Sequence, residues 1–385
     1  MKIALIRKNY TPYGGAEKYL SRLIGELCRQ GHEVHILAQK WEKPPNLGSQ
    51  FYFHQIKGFS VLSFLESLTF ARAACRFLQQ EDFDVIHSFE RTFFQDLYRA
   101  GDGCHREWLK QRKKIAPWLK RFTYSFNPNH LVILYLEKRL LNSPYLKYVI
   151  ANSQRVKKEI IQHYGLAEGK IRVIYNGVDL QQFHPIRVQH NRQIQREKWG
   201  IEEDDVVFLF IGSGFERKGL PFLLKALSFL DKKNLKLLVV GKNGLKKYKE
   251  YSRKLGVAER VLFVGPQKEV DYFYGISDFF VLPSIYEPFS NACVEALASG
   301  LPVITSKING AAELIKAGEN GLLINDPTNI WEIKDRLQEA WKIWGRGGYR
   351  ERIRDISPLT TIESNVQELI SIYKEVLDYK RKKVD

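Results

Sequence analysis

Short apolar runs alternate along the chain with stretches of helical apolar spacing. Residues 3–6 read as a buried strand, and residues 16–30 place Tyr19, Leu20, Leu23, Ile24 and Leu27 on one helical face before Gly31. A second apolar run over 34–38 follows at once, which predicts a βαβ unit and a parallel, doubly wound sheet. The pattern continues with a helix over 65–79, strands over 84–87 and 148–153, a helix over 156–164 and a strand over 171–175. Residues 181–200 are rich in Gln, Arg and Asn, contain Pro185, and read as an interdomain connection. After them the alternation restarts, with strands predicted at 206–211, 235–240, 261–264, 279–282 and 303–305. Two consecutive α/β segments predict two Rossmann-like domains facing across a cleft.

The length of 385 residues supports that division, because one core rarely grows so large. A hydrophobic content of 44% describes a folded chain. The formal charge of +17 fits an anionic partner: a nucleotide, a nucleic acid or an acidic membrane surface. Cys28, Cys75, Cys104 and Cys293 are scattered, so neither a disulfide framework nor a zinc site is indicated and a reducing compartment is expected. The start of the chain lacks the apolar core of a signal peptide, and no apolar run approaches the roughly 20 residues of a membrane span. A cytoplasmic protein is expected.

Candidate chemistry concentrates in the stretch 284–295, where Glu287 and Glu295 flank Pro288, Ser290 and Asn291. A helix starting near Ser290 would turn free N–H groups toward the end of the preceding strand, a ready anion site. An ordinary strand-to-helix turn with two solvated glutamates fits the same residues. The loop 212–219 carries Gly212, Arg217 and Lys218 but matches neither a Walker loop nor GxGxxG. Its cations can clamp a diphosphate, or line a solvated turn. Gly14 and Gly15 follow the first strand and would let backbone approach a ligand, or simply turn the chain. No acidic pair stands where a Mg²⁺ ligand set would be expected.

Residues 108–136 depart from the α/β pattern. Lys110, Arg112, Lys113, Lys114, Lys120 and Arg121 are interleaved with Trp108, Trp118, Phe122, Tyr124, Phe126 and Tyr135, and no acidic residue interrupts them. Rings beside cations suit an anionic membrane surface, with Trp108, Lys113, Lys114, Trp118, Lys120 and Arg121 as contacts. Nucleic acid would use similar residues, as would a solvated flank.

The ordered set Gly14-Gly15-Ala16-Glu17, Ala151-Asn152-Ser153, Asn176-Gly177-Val178-Asp179 with Phe183, the 212–219 loop, and Glu287 with Glu295 resembles the retaining glycosyltransferases of family 4. Those have the GT-B fold, and the resemblance spans nearly the whole chain. It is strongest toward the lipopolysaccharide core glucosyltransferases, which carry a similar Gly-Ser-x-Phe-x-Arg-Lys-Gly loop and an aspartate matched here by Asp102. The resemblance implies an N-terminal acceptor-side domain over 1–185, a nucleotide-sugar domain over 186–364, and a terminal helix over about 365–385 packing back on the first.

It also implies roles. Glu287 would bind donor-sugar hydroxyls and Glu295 the ribose. Backbone N–H groups of Phe289, Ser290 and Asn291 would hold the diphosphate, while Arg217 and Lys218 neutralise it. Gly15 would approach the same phosphates, Asp102 would act beside the transferred sugar, and Lys242 and Gln267 would line the base pocket. Pro288 and Ser290 stand where relatives often have glycine. The expected reaction is retaining and metal-independent, from UDP-glucose or another nucleotide sugar to a glycan or glycolipid, with no cofactor and no nucleic acid. The protein would sit peripherally on the inner face of the plasma membrane. A sugar-nucleotide epimerase and a basic nucleic-acid-binding protein are the rival readings.

Overall fold

Both sheets of the computed structural model, which describes residues 1–9, 15–40, 50–58, 62–344 and 348–382, are wholly parallel, and the first repeats the strand order of the second with a seventh strand added at one edge. The first contains β1 (Lys2–Ile6), β2 (Glu33–Ala38), β3 (Phe51–Gln55), β4 (Val85–Ser88), β5 (Leu97–Arg99), β6 (Tyr148–Ala151) and β7 (Ile171–Val173). They lie in the order β3-β2-β1-β4-β5-β6-β7. The second contains β8 (Val206–Ile211), β9 (Leu235–Val240), β10 (Val261–Gly265), β11 (Phe279–Leu282), β12 (Val303–Ser306) and β13 (Gly321–Ile324), in the order β10-β9-β8-β11-β12-β13. Strand order therefore reverses between β1 and β4 and again between β8 and β11. In doubly wound sheets the ligand crevice opens at the carboxyl ends of such strands. The two-domain α/β expectation is met by two Rossmann-like sheets.

The chain divides into Met1–Gly177 with Ile362–Asp385, and Val178–Thr361. The division falls at Gly177, not at 185, because Val178 and Thr361 form a β-bridge that belongs to the second unit. The helix Ile362–Arg381 joins the first unit: Val366, Leu369, Tyr373 and Val376 pack into the core formed by Ile3, Leu5, Leu23, Ile24 and Val34. Their three- and four-residue spacing puts these side chains on one stripe.

Several elements differ from expectation. Residues 181–200 are part of the second unit, not a free connection. They form the helices Pro185–Val188 and Arg192–Lys198, and Arg196 is buried with its guanidinium on the carbonyls of Ile276 and Glu202. Most of the polar side chains of this stretch are exposed, but Phe183, Pro185, Val188 and Arg196 are buried and tie it to the second unit. The basic segment is three helices, His105–Ile115, Trp118–Phe126 and Pro128–Leu141, broken at Pro117 and at Asn127-Pro128. β3, β5 and β13 are additional short strands whose sequences carry little alternation.

Candidate functional site

β8 ends at Ile211, and the chain passes through residues 212–219 into the helix Leu220–Ser228. Its neighbour β11 ends at Leu282 and passes through residues 283–290 into the helix Asn291–Ala298. The two connections leave adjacent strands at the point where order reverses, and they bring charged residues together. Arg217 Nη1 donates to Glu287 Oε2 at 2.8 Å and to the Tyr286 carbonyl at 3.0 Å. Lys218 Nζ lies 3.0 Å from the same Oε2. The Ile285 N–H donates to the Arg217 carbonyl at 2.8 Å, so backbone joins the loops as well.

Glu287 is buried. Burial pushes its carboxyl up, but Lys218 and then Arg217 outweigh burial and hold it below its ordinary value. The residue is anchored from β12's far side: it forms a β-bridge with Asn309, and the Gly310 N–H donates to its carbonyl at 2.9 Å. Two glycines make the geometry possible. A Cβ at Gly212 would fall 2.3 Å from Lys218 Cδ, so glycine lets the lysine stem cross the strand end. At Gly219 φ is +80° and a Cβ would sit 1.9 Å from the Pro283 carbonyl oxygen, which no other residue type accommodates.

The helix begins where the cap residues predict. Ser290 is the N-cap, its Oγ accepting from the Cys293 N–H at 3.4 Å. One expected diphosphate donor is already engaged, however: the Ser290 N–H donates to Asn309 Oδ1 at 3.2 Å. Asn309 also accepts from the Ala311 N–H and donates through Nδ2 to Thr305 Oγ1 at 2.9 Å and Cys293 Sγ at 3.3 Å. This buried side chain holds the whole turn, and a strand-end Asn-Gly pair was its sequence signal. Phe289 is buried and Asn291 half-buried.

Glu295 lies in the second turn of the helix, half-buried, and its Oε2 accepts from Tyr274 Oη at 2.8 Å. Lys242 and Gln267 are exposed just past the ends of β9 and β10; among the described residues neither side chain makes a hydrogen bond or ion pair.

In the first unit, Asp102 occupies the turn after β5, and its Oδ2 lies 3.6 Å from Arg7 Nη1. Arg7 follows β1, beside the reversal point, and also faces Glu90 at 3.5 Å. Neither Arg7 nor Glu90 stood out in the sequence, since an arginine after a strand is commonplace. The Asp102 turn is braced from behind: Arg91 donates to the Gly103 carbonyl at 3.1 Å and, through Nε and Nη2, to Glu137 Oε1 at 3.0 and 2.9 Å. Glu137 also caps the helix His105–Ile115 by accepting the His105 N–H at 2.9 Å. Gly15 opens the helix Gly15–Arg29, and Gly14 lies outside the described residues.

The proposed surface residues separate into two groups. Trp118 is 66% exposed, and Phe126, Leu131 and Tyr135 are exposed too, as are Lys114 and Arg121. Trp108 instead stacks on His105 at 5.2 Å and meets His130 edge-on at 5.4 Å, under the Arg112 guanidinium. The ring is half-buried and packed against these side chains. Lys113 donates to Ser125 Oγ at 2.9 Å, and the side chain of Lys120 is outside those described. Among the described residues no helix is long and apolar enough to cross a membrane, and no group of three or more His, Cys, Asp or Glu side chains is disposed to hold a metal ion.

Comparison with known proteins agrees across both units. Residues 13–182 match the family Glycosyltransferase Family 4, and residues 191–357 match Glycosyl transferases group 1. The chain is 27% identical to an uncharacterized glycosyltransferase of Methanocaldococcus jannaschii over 98% of this chain and 99% of that one. It is 24% identical to the lipopolysaccharide glucosyltransferase WaaG of Escherichia coli, over 88% and 89% respectively. The crystal structure of WaaG, a glycosyltransferase involved in lipopolysaccharide biosynthesis, superposes with a TM-score of 0.82 at 22% identity, covering 96% of this chain and 99% of that chain. HepE of Anabaena in complex with UDP and glucose gives 0.69 at 20% identity, covering 97% and 99%.

Proposed function

The chain belongs to the family 4 glycosyltransferases of GT-B type, and from that premise we propose that it moves a hexose from a nucleotide-diphosphate sugar, UDP-glucose first, to a cell-surface glycan or glycolipid such as lipopolysaccharide core. The observation that carries the reading is the Arg217–Lys218–Glu287 cluster at the carboxyl edge of β8 and β11. A sugar nucleotide already holds a good leaving group, so the enzyme's task is to stabilise charge on the departing diphosphate and on an oxocarbenium-like sugar. Two cations fixed on one buried carboxylate are preorganised for that task, and each keeps N–H donors beyond those bonded to Glu287.

In this scheme Glu287 binds donor-sugar hydroxyls with its remaining lone pairs, and Glu295 takes the ribose. Backbone N–H groups at Phe289 and Asn291 assist the cations; a phosphate oxygen at Ser290 would compete with Asn309. Lys242 and Gln267 contact the base. Asp102 orients or deprotonates the acceptor, which attacks from the leaving-group face with retention and without a metal. The resemblance to WaaG and the UDP and glucose bound by HepE support the choice of donor class.

The exposed Trp118, Phe126, Leu131 and Tyr135 beside Lys114 and Arg121 support peripheral contact with the inner face of the plasma membrane. A thermal-shift screen across nucleotide sugars, followed by product analysis with and without acceptor, tests the reading. A rise in melting temperature with one donor, transfer only when acceptor is present, and retained anomeric configuration are expected. Turnover of donor alone to an epimer would replace it, and a product of inverted configuration would remove the retaining assignment.

A further inference from the structure

Tyr274 is fully enclosed, within the short helix Asp271–Ile276, yet its hydroxyl reaches Glu295 on another helix. The Oη donates to Glu295 Oε2 at 2.8 Å, with the Ala292 carbonyl at 3.4 Å as a weaker second acceptor. Glu295 Oε1 has no partner among the described residues. One carboxylate oxygen is thus tied down from inside the protein and the other is left for something outside it. The residue is held through both its ring and its backbone. Phe183 meets its ring edge-on at 5.6 Å and 88°, Phe280 packs at 6.0 Å, and Arg350 donates to the Tyr274 carbonyl at 3.2 Å. A ring so enclosed cannot turn its hydroxyl elsewhere.

We infer that Tyr274 is a positioning residue that locks Glu295 in the one orientation presenting Oε1 to the ribose hydroxyls of the nucleotide, so that Phe183, Tyr274 and Glu295 form a packed line of support for ribose recognition. The inference rests on the donor-site reading above, and deepens it. An unrestrained glutamate in a helix has several rotamers, and each ribose contact would have to select one of them. Holding the carboxylate beforehand removes that cost. It also gives Phe183 a role that its place after Asn176-Gly177-Val178-Asp179 did not reveal: it is a wall for Tyr274.

The experiment titrates the full chain with UDP, GDP and ADP by calorimetry, then carries the tightest binder and its 2′,3′-dideoxy analogue into Tyr274→Phe and Glu295→Gln. Wild type should prefer the ribose form by about tenfold, the scale of a hydrogen bond to a charged group. Tyr274→Phe should lose most of that preference while binding the dideoxy analogue as wild type does. A merely structural role would weaken both ligands equally, or lower the melting temperature without touching the preference. Either result overturns the inference, as does an intact preference in Tyr274→Phe alongside its loss in Glu295→Gln. Should Tyr274→Phe not fold, Phe183→Leu supplies the same comparison, with a smaller loss of preference expected. If no nucleoside diphosphate binds wild type, or Glu295→Gln keeps the full preference, the donor-site reading fails and the inference goes with it.

Discussion

Arg217 and Glu287, seventy positions apart, share a 2.8 Å hydrogen bond, and Lys218 adds a second cation 3.0 Å from the same carboxylate oxygen. The residues assigned to sugar and to diphosphate therefore form one charged unit. Removing the carboxylate leaves two cations facing each other in a largely enclosed place.

Glu287→Ala should abolish transfer, and it should also destabilise the second unit. Breaking a buried pair by truncating one partner costs about 3–5 kcal/mol; with Arg217 about one-third exposed, a value near the lower bound is expected. Urea unfolding measures it. Added diphosphate should recover part of the loss, since an anion replaces the missing charge. Because the folded-state carboxyl titrates below its ordinary 4.5, the advantage of wild type over Glu287→Gln is complete above that pH and vanishes as pH falls through the lowered value.

Gly212→Ala places a methyl group 2.3 Å from the Lys218 stem. The lysine must swing away, so nucleotide affinity should fall by about tenfold or more, the loss of one charge-assisted contact, while far-ultraviolet circular dichroism stays unchanged. Wild-type affinity in Gly212→Ala would show that Lys218 does not hold the ligand.

Acid should loosen the helical segment of the first unit before it reaches the carboxylates. Burial, and then repulsion from Arg91, bring the His105 imidazole from 6.5 down to about 4. It is neutral when folded and protonated when unfolded in that interval, so stability is complete above about pH 6.5 and declines as pH drops toward 4. His105→Asn should flatten the fall in melting temperature between pH 6.5 and about 5. A slope equal to that of wild type would assign the loss elsewhere, for instance to His87, whose deep burial also lowers its value.

Flotation with anionic vesicles should depend on Trp118 and Phe126, which are exposed, together with Lys114 and Arg121. Trp118→Ala with Phe126→Ala should release the protein, and each removed cation should weaken binding by about 1 kcal/mol at low salt. Trp108→Ala should lower stability instead, because its ring fills the space between His105 and His130. Undiminished flotation of the Trp118 and Phe126 variant would move the contact to another surface.

Much of this molecule was legible in its residues. Apolar runs with glycine at their ends specify parallel strands buried on both faces, and β1, β2, β8, β9 and β11 fell where periodicity put them, because local spacing alone decides which side chains can be buried together. Ser290 as N-cap was legible for the same local reason. What only tertiary structure decided are relations across long sequence separations: Glu287 paired with Arg217 and Lys218, Asn309 occupying the Ser290 N–H, Tyr274 on Glu295, and Arg7 facing Asp102. A sequence states which groups need partners. The sheet order, by setting β8 beside β11 and β1 beside β4, chooses which partners come within hydrogen-bonding distance, and that choice turns a solvated turn into a charged site.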